Sequence, residues 1–127
     1  HRREEVAEGC QVSDCIFCKI VDGKIPAKKV FEDDDLLAFN DINPARPVHV
    51  LMIPKKHITS LATATPEDTP VLGRMLAMAN AIATAQGSPD GFRIIINTGR
   101  VGHQEVPHLH IHIVGGPDPV GPMLKRI

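Results

Sequence analysis

Apolar and polar positions alternate without a break through His108, Leu109, His110, Ile111, His112 and Ile113. Successive side chains of a strand point to opposite faces, so this spacing predicts a half-buried strand over His108–Val114. Leu109, Ile111 and Ile113 then face a core, and three imidazoles face the other way. A one-residue slip would bury the histidines and expose the isoleucines, which specifies the register. Lys29–Glu32 and Leu36–Asn40 read as two further strands, with Asp33-Asp34-Asp35 as the hairpin turn. Val48–Pro54 reads as a buried strand and Phe92–Asn97 as the one before the histidines. Asp41-Ile42-Asn43-Pro44, with Pro47, forces a non-repetitive loop.

A different period runs from residue 65. Val71, Leu72, Met75, Leu76, Ala79, Ile82 and Ala83 recur at helical spacing. Thr65 supplies a cap, Pro66 suits the first helical position, Glu67 and Asp68 fill the first turn, and Gly87 ends the helix. A shorter helix is expected over Cys15–Val21, capped by Asp14 and stopped at Asp22-Gly23. The expectation is an α+β fold: about five strands in a largely antiparallel sheet, one long helix, and a short N-terminal helix.

A chain of 127 residues, 43% apolar, suits one domain with one core. Residues 1–13 are set apart as a flexible N-terminal segment, leaving 14–127 as the domain. The charged start is not followed by an apolar stretch, and no run approaches the ~20 residues of a membrane span. Together with only three cysteines, this gives the expectation of a cytoplasmic protein without a disulfide framework. A net charge of −1, no Trp or Tyr and four Phe argue against a basic groove or stacking platform for nucleic-acid polymers. A small anionic substrate needs only a local cluster of donors.

The three co-facial histidines carry the candidate chemistry. They are open to three readings: surface or internally satisfied side chains, a metal site, or nucleophilic catalysis. Neutral imidazole attacks phosphorus without an activating base, provided its other nitrogen donates to a fixed acceptor. No acid lies within the triad, so a backbone carbonyl or a second histidine must accept. The preceding loop, Asn97-Thr98-Gly99-Arg100-Val101-Gly102-His103-Gln104-Glu105, has glycines for close backbone approach and N–H groups suited to a phosphate.

Gln104 to Gly116, containing His108-Leu109-His110-Ile111-His112, resembles the signature of the histidine-triad superfamily. So do Cys15-Ile16-Phe17-Cys18-Lys19-Ile20, Ala38 to Pro44, Val50 to His57, and Gly121-Pro122-Met123-Leu124. Together, over residues 14–127, they resemble the Hint branch and especially its bacterial members.

That resemblance implies a homodimer, paired in part through the long helix, that hydrolyses purine nucleoside phosphoramidates, adenylated lysine included. It implies His110 as the nucleophile, forming a nucleotidyl-histidine, with His112 on the α-phosphate. His49 is implied as a fourth histidine beside the triad, and His108 as an orienting group. Asp41 would hold the ribose, with Ile42 against the nucleoside. Phe17, Ile20 and Phe39 would line the purine pocket, and Asn97, Gln104 and Glu105 would lie on the phosphate side. No catalytic cofactor is implied. Structural zinc is implied at Cys15, Cys18, His57 and His108, whose Cys-x-x-Cys start has the spacing of a zinc half-site. One departure stands out: position 103 is His where close relatives are expected to carry Gly. Rival functions are a diadenosine polyphosphate hydrolase of the same superfamily, a nucleotide-binding regulatory protein, and a metal hydrolase using the triad directly.

Overall fold

The computed structural model describes residues 14–123. The flexible segment expected over residues 1–13, and Leu124 of the terminal motif, lie outside them. The chain forms α1 (Ile16–Val21), β1 (Lys29–Glu32), β2 (Leu36–Asn40), β3 (Val48–Pro54), α2 (Thr69–Ala85), β4 (Arg93–Ile95) and β5 (Ile111–Gly115). A single 3-10 turn, Pro66–Asp68, leads into α2. The sheet order is β1-β2-β3-β5-β4, with every neighbouring pair antiparallel. No helix among the described residues is long and apolar enough to cross a membrane.

The local chemistry explains the elements. Asp33 turns the first hairpin because its Oδ1 accepts the N–H groups of Asp35 and Leu36, both at 2.9 Å. At the start of the long helix the Asp68 carboxylate accepts the Thr65 N–H at 2.9 Å and the Lys56 ammonium at 2.9 Å. These two donors hold the Asp68 carboxyl below its ordinary value despite burial. The short helix is capped by Cys15 rather than Asp14: the Cys15 sulfur accepts the Cys18 N–H at 3.3 Å.

β2 and β3 are buried on both faces. Leu36, Ala38, Val50 and Met52 pack with Leu109, Ile111 and Ile113 beneath Met75, Ala79, Ile82 and Ala83 of α2. Leu37, Phe39, Leu51 and Ile53 pack on the opposite face with Phe17, Cys18 and Ile20 of α1. Leu76 departs from the expected helix stripe and is 52% exposed. The strand expected from His108 begins only at Ile111. Pro107 has no N–H, the Leu109 N–H donates to Ile58 (2.6 Å) and that of His108 to Val106 (2.8 Å), so neither joins the ladder. β4 is likewise shorter than the expected Phe92–Asn97.

Candidate active site

Leu109, Ile111 and Ile113 turn into the α2 core, and His108, His110 and His112 lie on the α1 face with β3's His49. Each imidazole then meets a different environment. His110 is 6% exposed and its Nδ1 lies 2.7 Å from the His108 carbonyl oxygen. A carbonyl only accepts, so Nδ1 carries the hydrogen and Nε2 keeps its lone pair. The ring is braced edge-on by Phe17, with centroids 5.1 Å apart. Of the two acceptors the sequence left open, the structure uses the peptide carbonyl.

A second chain of donors fixes His112. The Ala45 N–H donates to His49 Nδ1 at 3.0 Å, so His49 carries its hydrogen on Nε2. That nitrogen is 2.9 Å from His112 Nδ1 and 3.5 Å from Asp41 Oδ2. His112 therefore accepts through Nδ1 and presents Nε2–H. Burial, with the neighbouring His110 and His49, lowers the His112 pKa to about 4, against the pull of Asp41 and Glu105. At neutral pH it is an uncharged donor.

His110 and His112 open into a cavity of about 390 Å³. Its apolar lining includes Phe17, Ile20, Ile25 and Phe39, and its polar lining includes Asp41 and Asn97, with Ile42 between Asp41 and the following loop. Asp41 Oδ1 accepts the Asn43 N–H at 2.8 Å, which fixes the carboxylate at the loop bend. His103, Glu105 and Val106 complete the lining. A larger cavity of about 570 Å³, between Asp90–Arg93 and Gly115–Gly121, holds none of the histidines. Volume alone therefore does not mark the chemistry.

The glycine-containing loop behaves differently from the phosphate cradle expected of it. Gly102 donates to Thr98 O (3.2 Å), His103 to Arg100 O (3.1 Å), Gln104 to Gly99 O (3.0 Å), and Gly99 to Gln104 Oε1 (3.0 Å). Those N–H groups are committed to the loop, and those of Glu105 and Val106 make none of its bonds. Gln104 does not line the cavity. Its side-chain nitrogen donates to Thr59 O (2.8 Å) and Val106 O (2.9 Å), so Gln104 staples the loop instead of facing a phosphate. Sequence reasoning did not pick out Ile25, Pro26, Ala27 or Leu51 as lining residues. Each is apolar with no residue-type mark of a binding role, and only the fold brings it to the cavity.

His108 is fully buried and separate from the cavity. Its Nε2 lies 2.8 Å from the Pro54 carbonyl, leaving a bare Nδ1. That nitrogen is 3.4 Å from Cys15 Sγ and 3.7 Å from Cys18 Sγ, and His57 Nδ1 is 3.2 Å from Cys18 Sγ. All four ligand atoms lie within 4.8 Å of one another. Burial depresses the His108 pKa to about 4 and lowers that of His57. Cys18 is also disulfide-bonded.

An antiparallel sheet carrying a buried imidazole with its tautomer set by a peptide carbonyl, beside a second that presents N–H to an amphipathic cavity, is an arrangement suited to histidine-based group transfer. The chain matches the family described as Scavenger mRNA decapping enzyme C-term binding over residues 14–125. It is 55% identical over 106 residues to Protein HitA of Neisseria gonorrhoeae, covering 84% of this chain and 99% of that one. Among solved structures it is similar to a HIT family hydrolase from Legionella pneumophila (TM-score 0.79, 44% identity, 83% of this chain and 95% of that one). It is also similar to a histidine triad protein from Clostridium difficile (TM-score 0.82, 44% identity, 88% and 98%). The chain belongs to the histidine-triad superfamily.

Proposed function

We propose that this chain is a nucleotide hydrolase that cleaves purine nucleoside 5′-phosphoramidates to the nucleoside monophosphate and an amine. The observation that carries the reading is the 2.7 Å bond between His110 Nδ1 and the His108 carbonyl, which aims an unprotonated Nε2 as nucleophile. His110 Nε2 attacks the α-phosphorus and the phosphorus–amine bond breaks. Water then releases the nucleotide from the nucleotidyl-histidine. His112 Nε2–H, set through His49, donates to a phosphoryl oxygen as charge develops there, and preorganised donors of this kind are usually the largest catalytic effect. The free N–H groups of Glu105 and Val106 are the loop's contribution to the same oxygens. Asp41 accepts from the ribose hydroxyls, and the apolar side chains of Phe17, Ile20 and Phe39 take the purine.

Incubation with an adenosine 5′-phosphoramidate, with and without chelator, beside His110→Ala, tests this. AMP release that survives the chelator and disappears in the variant is expected. Release abolished by chelator would support a metal hydrolase. Cleavage of diadenosine polyphosphate but not the phosphoramidate would replace the substrate class.

Zinc belongs to the same reading as a structural group. With Cys18 reduced, Cys15, Cys18, His57 and His108 present their ligand atoms near the ~3.5 Å spacings that Zn–S bonds of ~2.3 Å and Zn–N bonds of ~2.0 Å impose on a tetrahedron. The ion would tie α1 to the loop after β3 and take no part in the chemistry. A homodimer is also part of the proposal: Leu76 on α2 and Ile95 on the edge strand β4 are large apolar side chains left exposed.

A further inference from the structure

His103 stands at φ +59°, the sole non-glycine residue at positive φ among the described residues. Histidine is among the side chains that tolerate this region, but departures of this kind cluster where function fixes the backbone. The loop around it is built to hold that conformation. A Cβ on Gly102 would meet the Thr98 oxygen at 2.5 Å and nitrogen at 2.7 Å, so only glycine permits the close approach. Three backbone bonds and the Gln104 staple close the turn. On it, His103 Nε2 lies 3.2 Å from Glu105 Oε2. Both residues line the cavity that holds His110 and His112. Their side chains are 85% and 77% exposed, whereas His110 is 6% exposed. The nucleophile is thus at the floor and the His103–Glu105 pair at the rim. An in-line displacement from the floor expels its leaving group toward the rim.

We propose that His103, oriented by Glu105, is the proton donor to the departing amine and then the proton acceptor from water. The inference rests on the phosphoramidase reading, whose chemistry requires an acid for the amine. Glu105 holds Nε2–H and leaves Nδ1 as the transferring atom. Imidazole both gives and takes a proton readily near neutral pH. In the first half, His110 Nε2 bonds to phosphorus and the phosphorus–amine bond breaks. The electron pair stays on the amine nitrogen, which takes the Nδ1 proton of the His103 imidazolium. In the second half, neutral His103 takes a proton from the water whose oxygen bonds to phosphorus. The His110–phosphorus bond breaks with its pair returning to Nε2, and both histidines are restored. Glu105 is a positioning residue, and it also favours a protonated or uncharged leaving group over an anionic one.

The test follows leaving-group release, the first half alone, in single-turnover reactions of two substrates: an alkylamine phosphoramidate of AMP, whose leaving group needs a proton, and the p-nitrophenyl ester of AMP, whose leaving group does not. His103→Gly keeps the positive φ without strain, and His103→Asn tolerates it while supplying no acid. Both variants are expected to lose about 10²-fold or more on the amine and less than about threefold on the ester. Glu105→Gln is expected to lose about tenfold on the amine alone, with no further loss when combined with His103→Gly. Equal losses on both substrates, or none in either His103 variant, would overturn the role of His103. A wild-type protein that cleaves the ester but not the amine would overturn the phosphoramidase reading and this inference together.

Discussion

The two faces of the stretch from His108 to Ile113 share a backbone and differ in how they are held. On one face Leu109, Ile111 and Ile113 meet α2 through non-directional contacts, and what matters is volume. On the other, each imidazole has a particular partner for a particular atom: Pro54 O for His108, His108 O for His110, and His49 for His112. The apolar face therefore depends on volume and the imidazole face on the direction of single bonds, and the proposed chemistry sits on the second. Alternation allows one stretch of chain to serve both faces.

The sharpest way to separate the faces is to cut one residue on each. His110→Ala is expected to lower AMP release by on the order of 10³-fold or more, with the thermal unfolding profile close to wild type. A variant that kept its rate would remove His110 as nucleophile. Ile111→Ala, one position along, is expected to cost about 2–5 kcal/mol in denaturant unfolding while kcat changes little wherever the variant is folded. If it lost activity and kept stability, the division between the faces would fail.

The smallest expected effect is a pH dependence of the imidazole face. His108 and His112 have pKa values lowered to about 4 in the folded chain, chiefly by burial. The unfolded chain takes up their protons near the ordinary histidine value, so between about pH 6.5 and 4 it binds more protons than the native state. Stability is full above that window and falls as pH drops through it. His112→Asn is expected to remove its share, about 1–2 kcal/mol across the window after allowance for solvent. An unchanged slope of urea midpoint against pH would sink this assignment.

The sequence carried the periodic features well. β1, β2, β3 and the span of the long helix follow directly from alternation, helical spacing, Asx-turn chemistry and Thr65-Pro66, because each is set by local covalent preference. The ends of the last two strands did not, since tertiary partners such as Ile58 O decide where the ladder begins. The cap on α1 was misplaced because a cysteine sulfur, buried against His108, took the position in place of Asp14. In the site, the facing of the triad was legible, and so was the need for a carbonyl or a histidine as acceptor, but not which main-chain atoms would serve. Pro54 O, His108 O and Ala45 N–H are main-chain atoms with no residue-type signature. Gln104 was read as a phosphate contact for a related reason: the side chain points back at its own loop, and nothing in residue type foretells that.

The acceptor that fixes the His110 tautomer is part of the peptide unit that residue 108 shares with Leu109. No codon change at residue 108 short of displacing the backbone deletes it. In many histidine-dependent enzymes the orienting carboxylate is a separate mutational target that can be lost on its own. Here the protonation pattern of His110 descends with the chain trace, so its Nε2 keeps its lone pair whatever side chain stands at residue 108.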